Sequence, residues 1–419
     1  MFGRFHHSFF CGAVRWPKSW QTAHSAALKQ LKVHGGHAGC IASAVASGAI
    51  LSTTGSRMCE WRKSHCESRS ADGNMNIINV YYLKPFEDEL TLLGAVCQNN
   101  PKINFSWGNA LPKNSSVRND IHVLITRIPS GGELDALAGL RSLLVPFAGP
   151  VASTKELVRE RPYLSLHTCH SNSASTAELA LALLFAAVKR IAKADADMRS
   201  DIKDGRPWKP GWRDLNRDTQ KLAGCTAVVL GYGAIGGRVA TVLSALGMKV
   251  HVIRRNVPMD RPGTASSTIS IHQISELPEL LSQASVLMVC LPGTASTLGL
   301  IGEAEIRAMP KGAVLVNVGR GRIVDEDALF KALEDGHLSA AGLDVWYNYP
   351  TDPVLGDQKH LWPSIKPFHE LGNRIIMSPH CGQNSYTKAQ DTVEELERML
   401  NVLSDTGSLP NQYNIDEGY

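Results

Sequence analysis

The sequence predicts an α/β fold with two successive parallel sheets whose faces are covered by helices. Short apolar runs typical of buried strands alternate with helical patterns from residue 76 to about residue 150, and the alternation begins again at residue 225. A nearly all-apolar helical stretch at residues 175–194 lies between the two regions and should be buried or lie in a subunit interface. The length of 419 residues accommodates two domains and an additional segment.

The elements follow one another in a regular order. In the first region, strands are predicted at "NIINVYYL", "INFSW", "HVLITR" and "SLLVPFAG", with helical patterns at residues 86–98 and at "LDALAGL". Residues 203–217, rich in Trp, Pro and charge, predict an extended arm. The second region predicts strand, glycine turn, helix and strand across "CTAVVLGYGAIGGRVATVLSALGMKVHVIRR". Further strands follow at "VLMVCLP", "AVLVNVG", "AAGLDVW" and "IIMSPHCG", and a last helix is predicted at residues 386–403.

The composition excludes several classes of protein. Charged residues make up 20% of the chain and the formal net charge is +4, which gives no support to nucleic acid binding. The longest weakly apolar stretch, residues 38–52, is shorter than the roughly 20 residues that a membrane-spanning helix needs. The nine cysteines show no CxxC or Cys/His spacing, so neither a disulfide framework nor a metal site is expected.

Residues 1–74 are predicted to be a leader that takes no part in the fold. No Asp or Glu precedes Glu60, whereas Lys, Arg and His lie among Ser, Ala and Gly, which is the acid-poor composition of a transit peptide. A mitochondrial address fits, with a plastid as the alternative, and the mature protein should begin between about Ser52 and Met75. The other interpretation is a disordered basic tail, or a cytosolic protein translated from Met75.

A glycine motif follows the first strand of the second region. Gly231, Gly233 and Gly236 match GxGxxG at the opening of a helix. Gly231 permits a tight turn, Gly233 removes a side chain that would block a pyrophosphate, and Gly236 lets helix and strand pack closely. The helix amino end, with Ala234 and Ile235, stabilises phosphate charge. The motif therefore predicts a dinucleotide site, with a merely structural glycine turn as the alternative.

Two arginines end the next predicted strand. An NAD enzyme would place an acidic residue at position 254 against the ribose hydroxyls, whereas this sequence has Arg254 followed by Arg255. Two guanidinium groups can pair with a 2'-phosphate, so NADP is the predicted cofactor. The alternative is that both arginines are solvated loop charges and that NAD is accepted.

Six separated motifs carry a resemblance to a known family. They are "HSNSASTAELALALLFAAVKRI", "GYGAIG", "LPGTAST", "VNVGRGRIVDEDAL", "AAGLDVW" and "SPHCG". In these motifs the chain resembles the D-isomer-specific 2-hydroxyacid dehydrogenases. The resemblance implies a Rossmann nucleotide-binding domain, residues 172–381, inserted into a smaller flavodoxin-like substrate domain, residues 75–171 and 382–419. The implied reaction moves hydride between NADP(H) and a small 2-hydroxy or 2-oxo acid.

The resemblance also implies a catalytic pair. Arg320, in "GRG", would hold the substrate carboxylate and polarise the carbonyl, for which an always-charged planar fork is suited. His380, in "SPH", would donate a proton to the carbonyl oxygen during reduction and accept one during oxidation. Asn172 resembles a substrate-side asparagine of several relatives, and the alternative is a cap for the following helix.

Further contacts are implied on both sides of the cleft. Backbone N–H groups of Ala148 and Gly149, in "FAGP", would bind the substrate carboxylate. On the cofactor side, Pro292 would line the adenine pocket, Thr297 would approach the phosphates and Asp344 would face the nicotinamide carboxamide. Asp344 has the alternative role of accepting backbone N–H groups at a strand end. The cofactor-binding set is completed by Leu291, Val318 and Gly382.

The sequence departs from the family pattern at two places. Tyr349 stands where relatives usually carry a glutamate that hydrogen-bonds the catalytic histidine, and loss of this carboxylate should lower the pKa of His380. Glu370 is a candidate replacement. Pro150, in the substrate loop, has no N–H to offer. These departures leave the substrate open among glyoxylate, hydroxypyruvate and larger acids.

Two other functions stay open from the sequence. The missing glutamate fits a non-catalytic NAD(P)-binding regulator. "DVW" and Asn172 fit a formate-dehydrogenase-like enzyme, whose chemistry needs no proton shuttle. For assembly, the long apolar helix and the arm with Trp208 and Trp212 predict a homodimer, as the resemblance implies. A small-molecule acid is the expected partner, with no nucleic acid, membrane or metal.

Overall fold

The computed structural model describes residues 77–207, 219–255, 269–349 and 362–418. The predicted leader, residues 1–74, lies outside these ranges, as do Trp208 and Trp212 of the predicted arm. Among the described residues, no helix is both long and apolar enough to cross a membrane.

The first domain is built on five parallel strands. They are β1 (Ile78–Leu83), β2 (Ile103–Gly108), β3 (Val123–Ile125), β4 (Ser142–Val145) and β5 (Ser165–Thr168), and the helices between them are α1 (Ser115–Asn119), α2 (Gly131–Asp135) and α3 (Ala152–Arg159). The strand order β2-β1-β3-β4-β5 is the flavodoxin-like order. Tyr82 and Leu144 are buried on one face, and Leu83 and Leu124 on the other, which explains the continuous apolar runs.

The second domain is built on seven parallel strands. They are β6 (Thr226–Leu230), β7 (Lys249–Ile253), β8 (Ile269–His272), β9 (Val286–Val289), β10 (Ala313–Asn317), β11 (Leu338–Leu343) and β12 (Ile375–Met377). The helices of this half are α4 (Ser173–Lys189), α5 (Ile191–Lys203), α6 (Ala234–Ala245), α7 (Leu277–Leu281), α8 (Glu303–Ala308) and α9 (Glu326–Glu334). The order β12-β11-β10-β9-β6-β7-β8 is Rossmann-like and reverses between β9 and β6. Ligands of such sheets bind beyond the carboxyl ends of the strands at this reversal.

Three helical predictions differ from the structure. The pattern at "LDALAGL" is helical only at its first two residues, where α2 ends. Residues 86–98 form hydrogen-bonded turns and one 3-10 turn, Leu93–Ala95, and Cys97 takes a left-handed φ of 56° that ends the turn. The single helix predicted over residues 175–194 is divided at Arg190, which has a φ of 53°. The guanidinium of Arg190 donates to the carbonyls of Asn373 at 2.8 Å and Ser339 at 3.1 Å. These bonds hold the chain where α4 ends and α5 turns away.

The two helices at this division have different surroundings. Within α4, Ala180 and Leu184 are buried against Val239 and Leu243 of α6. No residue of α5 is buried. The burial predicted for this stretch is therefore found in α4, whereas the part beyond Lys189 is not buried within the chain, and its predicted alternative place in a subunit interface stays a prediction.

The last helix returns to the first domain. Helix α10 (Lys388–Thr406) buries Leu396, Met399 and Leu400 in the same core as Tyr82 of β1. The remaining 3-10 segments of the second half are Ile274–Glu276, Gly321–Ile323 and Phe368–Arg374. The domain boundaries predicted at residues 171/172 and 381/382 fall outside the strands and helices, and they stay predictions.

Candidate functional site

The glycine turn between β6 and α6 has a shape that side chains would prevent. Gly231 has a φ of 98°, and a Cβ there would lie 2.9 Å from the carbonyl oxygen of Cys290. A Cβ at Gly236 would collide with the carbonyl oxygen of Gly231. The first and third glycines are therefore required by the turn and by close packing of helix and strand.

Gly233 differs from these two because it faces open space. No atom lies within 4 Å of the place a Cβ would take, and the residue is the N-cap of α6. Ala234 and Ile235 form the first turn of that helix. The backbone can thus approach a pyrophosphate, whose charge the helix amino end would stabilise. The turn fits a bound dinucleotide.

The two arginines after β7 have different environments. Arg254 is half-buried, and its backbone N–H donates to the carbonyl of His272 at 3.1 Å. Arg255 is exposed, with Nη1 3.2 Å from Oε2 of Glu417 and Nη2 3.5 Å from Oγ of Ser296. A residue near the C-terminus therefore reaches the predicted 2'-phosphate site, which the sequence did not indicate.

The loop after β9 is shaped by Thr297. Its buried hydroxyl donates to the carbonyl of Pro292 at 2.7 Å and accepts from the N–H of Thr294 at 2.8 Å. Leu291, in the same loop, packs on the nucleotide-domain core, and Val318 is buried beside β9. Thr297 therefore stabilises the conformation of the loop. Its approach to the phosphates stays a prediction, as does the contact of Pro292 with the adenine.

Arg320 lies on a turn fixed by a buried amide. Asn317, at the end of β10, accepts from the N–H of Gly319 at 3.0 Å and donates to the carbonyl of Arg320 at 2.9 Å. A Cβ at Gly321 would collide with the carbonyl of Trp346. The exposed Arg320 side chain is thereby presented to the cleft. Asn317 was missed by sequence reasoning, although a buried asparagine closing a strand in "VNVGRG" is a usable signal.

The substrate loop of the first domain meets Arg320 of the second. A Cβ at Gly149 would lie 2.7 Å from Nη2 of Arg320. Ala148 is exposed beside it, whereas Pro150 is buried. The structure thus brings together three residues that the sequence assigned to substrate binding, and a glycine is needed where the guanidinium approaches the loop backbone.

His380 follows β12 and contacts an aromatic ring. The ring centroids of His380 and Tyr349 are 5.4 Å apart, inclined at 64°. The hydroxyl of Tyr349 accepts from the N–H of Trp346 at 3.0 Å, which directs the ring towards the histidine. Position 349, where the family resemblance implied a glutamate, therefore places an aromatic ring against His380. His380 itself has a left-handed φ of 57°.

Glu370 does not replace the missing carboxylate. Its carboxylate Oε1 lies 3.9 Å from Nε2 of His369, and the charged groups that act on His380 are Asp344 and Arg320. Both side chains are exposed, so solvent satisfies the Glu370 carboxylate.

The environment of His380 favours the neutral imidazole. The side chain keeps solvent contact, but partial burial of the ring lowers its pKa, the nearby Asp344 raises it, and Arg320 lowers it. The direction agrees with the expectation from sequence, although the largest cause is burial. At neutral pH, the protonated form required to donate a proton is therefore the minor one.

Asp344 and Asn172 take definite places at strand and helix ends. The Asp344 carboxylate is buried and accepts from the Ser378 hydroxyl at 2.5 Å and from the N–H groups of Cys381 at 2.9 Å and Gly382 at 3.0 Å. Asp344 thus has the alternative role, that of accepting backbone N–H groups at a strand end, and its contact with the nicotinamide carboxamide stays a prediction. Asn172 is the N-cap of α4, but its side chain makes no capping hydrogen bond. The half-buried amide is therefore not used as a cap.

No group of three or more His, Cys, Asp or Glu residues in the described ranges could hold a metal ion. Cys97 and Cys169 are buried free thiols, and Cys225, Cys290 and Cys381 are also free.

Comparison with known proteins identifies the family of this arrangement. The model of the D-isomer specific 2-hydroxyacid dehydrogenase NAD binding domain matches residues 181–382. The glyoxylate reductase of Thermococcus litoralis is 31% identical over 245 residues, which cover 58% of this chain and 67% of that protein. The chain belongs to the D-isomer-specific 2-hydroxyacid dehydrogenase family.

Other relatives match a smaller part of their length. The glyoxylate reductase of Aeropyrum pernix is 38% identical over 211 residues, 49% of this chain and 56% of that protein. The D-3-phosphoglycerate dehydrogenase of Haemophilus influenzae is 30% identical over 250 residues, 59% and 54% respectively. The chain therefore spans about half the length of these two curated relatives.

Solved structures share the fold at lower identity. The NAD-complexed D-isomer specific 2-hydroxyacid dehydrogenase of Lactobacillus delbrueckii ssp. bulgaricus aligns with a TM-score of 0.62 at 19% identity, covering 80% of this chain and 100% of that one. D-2-hydroxyisocaproate dehydrogenase aligns with a TM-score of 0.59 at 19% identity, covering 80% and 99%. The Rossmann domain with a second α/β domain is therefore the shared architecture.

Proposed function

We propose that the protein is an NADP-dependent oxidoreductase that reduces a small 2-oxo acid to the 2-hydroxy acid, or catalyses the reverse. The observation that carries this proposal is the approach of Arg320 to the glycine backbone of the substrate loop, 2.7 Å from the place of a Gly149 Cβ. A guanidinium and backbone N–H groups that converge form a binding site for a carboxylate. The bound cofactor would supply or accept the hydride.

Arg320 binds the acid in this mechanism and polarises its carbonyl. The substrate carboxylate accepts hydrogen bonds from the guanidinium and from the N–H groups of Ala148 and Gly149. Because the guanidinium stays charged at every physiological pH, it also stabilises negative charge that develops on the carbonyl oxygen. The half-buried amide of Asn172 is proposed to face the same substrate.

His380 moves the proton. In reduction the imidazolium donates a proton to the carbonyl oxygen, and in oxidation the neutral ring accepts one from the hydroxyl. The lowered pKa of His380 favours the neutral ring at pH 7, so acid conditions should favour reduction.

The cofactor preference is proposed from the charges after β7. Arg254 and Arg255 would pair with the 2'-phosphate of NADP. Titration of the protein with NADPH and NADH tests this, and we expect NADPH to bind at least about tenfold more tightly, a difference of about 1.4 kcal/mol. Equal affinities would contradict it.

A panel of 2-oxo acids tests the activity itself. We expect consumption of NADPH with at least one acid of the glyoxylate or hydroxypyruvate type. The second candidate, a non-catalytic NAD(P)-binding regulator, is favoured by the aromatic rather than carboxylate partner of His380. Tight cofactor binding without turnover of any 2-oxo acid or formate would select it, whereas oxidation of formate alone would select the formate-dehydrogenase-like alternative.

We propose a homodimer formed through helix α5. Ile191, Met198 and Ile202 are 53%, 49% and 65% exposed, and their spacing places them along one side of the helix. Burial of this stripe against a second copy would remove it from water. Light scattering at micromolar concentration should give the mass of two chains, and Ile202→Asp should lower it. A monomer mass for the unmodified protein would contradict the proposal.

We propose a mitochondrial location from the acid-poor leader. A fusion of residues 1–74 to a fluorescent protein should accumulate in mitochondria. Plastid or cytosolic fluorescence would overturn the proposal.

A further inference from the structure

The chain end, residues 412–418, runs from one domain to the other, and we call it the C-terminal tail. It begins on the first sheet, where Gln412 forms an antiparallel β-bridge with His167. The N–H of Tyr413 donates to the carbonyl of Leu166 at 2.7 Å. Tyr413 is buried, and Ile415 packs on the same core. The tail is therefore anchored in the substrate domain.

The end of the tail is a hydrogen-bonded turn. Asn414 accepts, through Oδ1, from the N–H groups of Asp416 at 3.0 Å and Glu417 at 3.1 Å. The N–H of Gly418 donates to the Asn414 carbonyl at 2.8 Å. A Cβ at Gly418 would lie 3.0 Å from Cγ2 of Thr294, in the loop after β9. This turn presents Glu417 to the nucleotide domain.

The groups around Glu417 form a set of cations and hydroxyls. Nη1 of Arg255 lies 3.2 Å from its carboxylate, and Arg254 precedes Arg255 in the chain. Oγ of Ser296 is 3.5 Å from Nη2 of Arg255 and 3.0 Å from Oγ1 of Thr294. Guanidinium and hydroxyl donors gathered in this way suit a phosphate. Glu417 supplies a carboxylate to this set through its ion pair with Arg255.

We propose that Glu417 competes with the 2'-phosphate of NADP for Arg255 and so sets the balance between NADPH and NADH. The inference rests on the proposed role of the arginines after β7. A phosphomonoester carries a charge of about −1.5 to −2 at pH 7, so it gains from Arg255 and is repelled by Glu417. NADH brings no phosphate to this place and leaves the ion pair intact. Glu417 therefore weakens NADPH binding and leaves NADH binding unchanged.

The solvent exposure of Arg255 and Glu417 limits how much Glu417 can weaken NADPH binding. The side chains of Arg255 and Glu417 are 44% and 47% exposed, and solvent screens such pairs strongly. Removal of the carboxylate should therefore tighten NADPH binding by about two- to five-fold. The effect should shrink at high ionic strength, because salt screens exposed charges.

The test is a set of fluorescence titrations of the full chain with NADPH and NADH. We expect Glu417→Gln to lower the Kd for NADPH by about two- to five-fold and to leave the Kd for NADH unchanged. Asp416→Asn is the matched control, since it removes the adjacent exposed carboxylate, and it should match the unmodified protein. In an Arg255→Gln background, Glu417→Gln should no longer tighten NADPH.

Two results would overturn the competition. One is an unchanged Kd for NADPH in Glu417→Gln, and the other is weaker NADPH binding, which would mean that Glu417 positions Arg255 for the phosphate. Failure of the proposed NADP preference is a separate result, because it would appear in the unmodified protein as equal Kd values for NADPH and NADH. Tighter NADPH binding by Glu417→Gln in that case would still support the competition.

Discussion

The two proposed binding sides of the cleft, for the nucleotide and for the substrate, are built from different parts of the chain. On the nucleotide side, one contiguous turn exposes backbone at Gly233, while Gly231 and Gly236 permit its shape and its close packing, so what matters is the absence of side chains. On the substrate side, Arg320 and His380 stand on turns after two different strands. A third contribution, the loop after β4, comes from the other domain.

The two sides should therefore be sensitive to different substitutions. Added side-chain atoms would disrupt the glycine turn, whereas loss of a charge or displacement of a side chain would impair the substrate side. Substitutions at Arg320, His380, Gly149 and Tyr349 should therefore change turnover and leave cofactor affinity intact.

The largest effect is expected from Arg320→Ala. In the proposed mechanism the guanidinium binds the substrate carboxylate in the ground state and stabilises charge in the transition state. Its loss should therefore lower kcat/KM by an amount that corresponds to about 3 to 5 kcal/mol of transition-state stabilisation. Steady-state kinetics with the best 2-oxo acid measures it. Arg322→Ala, at an exposed position two residues on, is the matched control. A similar loss in the control, or weaker NADPH binding in Arg320→Ala, would contradict the separation of substrate turnover from cofactor binding.

His380→Ala should follow, with a decrease in kcat of about a hundred-fold or more. In the proposed mechanism the imidazole acts only in the proton-transfer step, so KM and the Kd for NADPH should change little. The exposed His369→Ala provides the control. Near-normal reduction of every 2-oxo acid by His380→Ala would remove His380 as the proton donor.

Gly149→Ala probes the junction of the two domains. The added Cβ would push against Nη2 of Arg320, 2.7 Å away, and the flexible guanidinium should shift with little cost to folding. We expect a loss of about tenfold in kcat/KM, because small displacements of positioning groups cost about ten- to a hundred-fold. Gly132→Ala in α2, where no atom lies within 4 Å, should be neutral. Equal kinetics for both variants would argue against carboxylate binding in this loop.

The smallest change is a displacement of the pH profile. Because burial holds the pKa of His380 below its ordinary value, the rate of reduction should rise as pH falls towards about 6. Tyr349→Glu places a carboxylate beside the ring, which should raise the pKa of His380 and move the rise to higher pH. Tyr349→Phe keeps the ring and should keep the profile. A profile that Tyr349→Glu leaves unmoved would contradict the assignment of the pH limb to His380.

Much of the fold was predictable because buried parallel strands have continuous apolar runs. The exceptions are β5, "SLHT", and β8, "ISIH", which the sequence analysis did not find. Both end the strand order of their sheet and carry polar residues that interrupt the apolar run. Polar residues of β5 are buried beneath residues from the end of the chain, where Nδ1 of His167 lies 2.9 Å from the carbonyl oxygen of Pro410. The division of the long helix at Arg190 was also missed, because it depends on carbonyls of Asn373 and Ser339 far along the chain.

Local motifs similarly account for the nucleotide turn, whose three glycines lie within six residues of sequence. The contact of Tyr349 with His380 and that of Glu417 with Arg255 were not predictable. Each joins residues separated by many positions, and neither residue pair has a distinctive spacing. Only the folded topology places them together.

The path of the chain through its two domains also fixes an order of events during synthesis. Strand β5 is completed by residues from the far end, since the N–H of Thr168 donates to the carbonyl of Asn411 and Tyr413 donates to Leu166. The seven strands of the second sheet have all been translated by then, and domains generally fold as units once their chain has emerged. The second sheet can therefore form on the ribosome before the β5 edge of the first sheet is completed. A nascent chain that stalls before residue 411 would expose an unpaired strand edge, which is a template for aggregation.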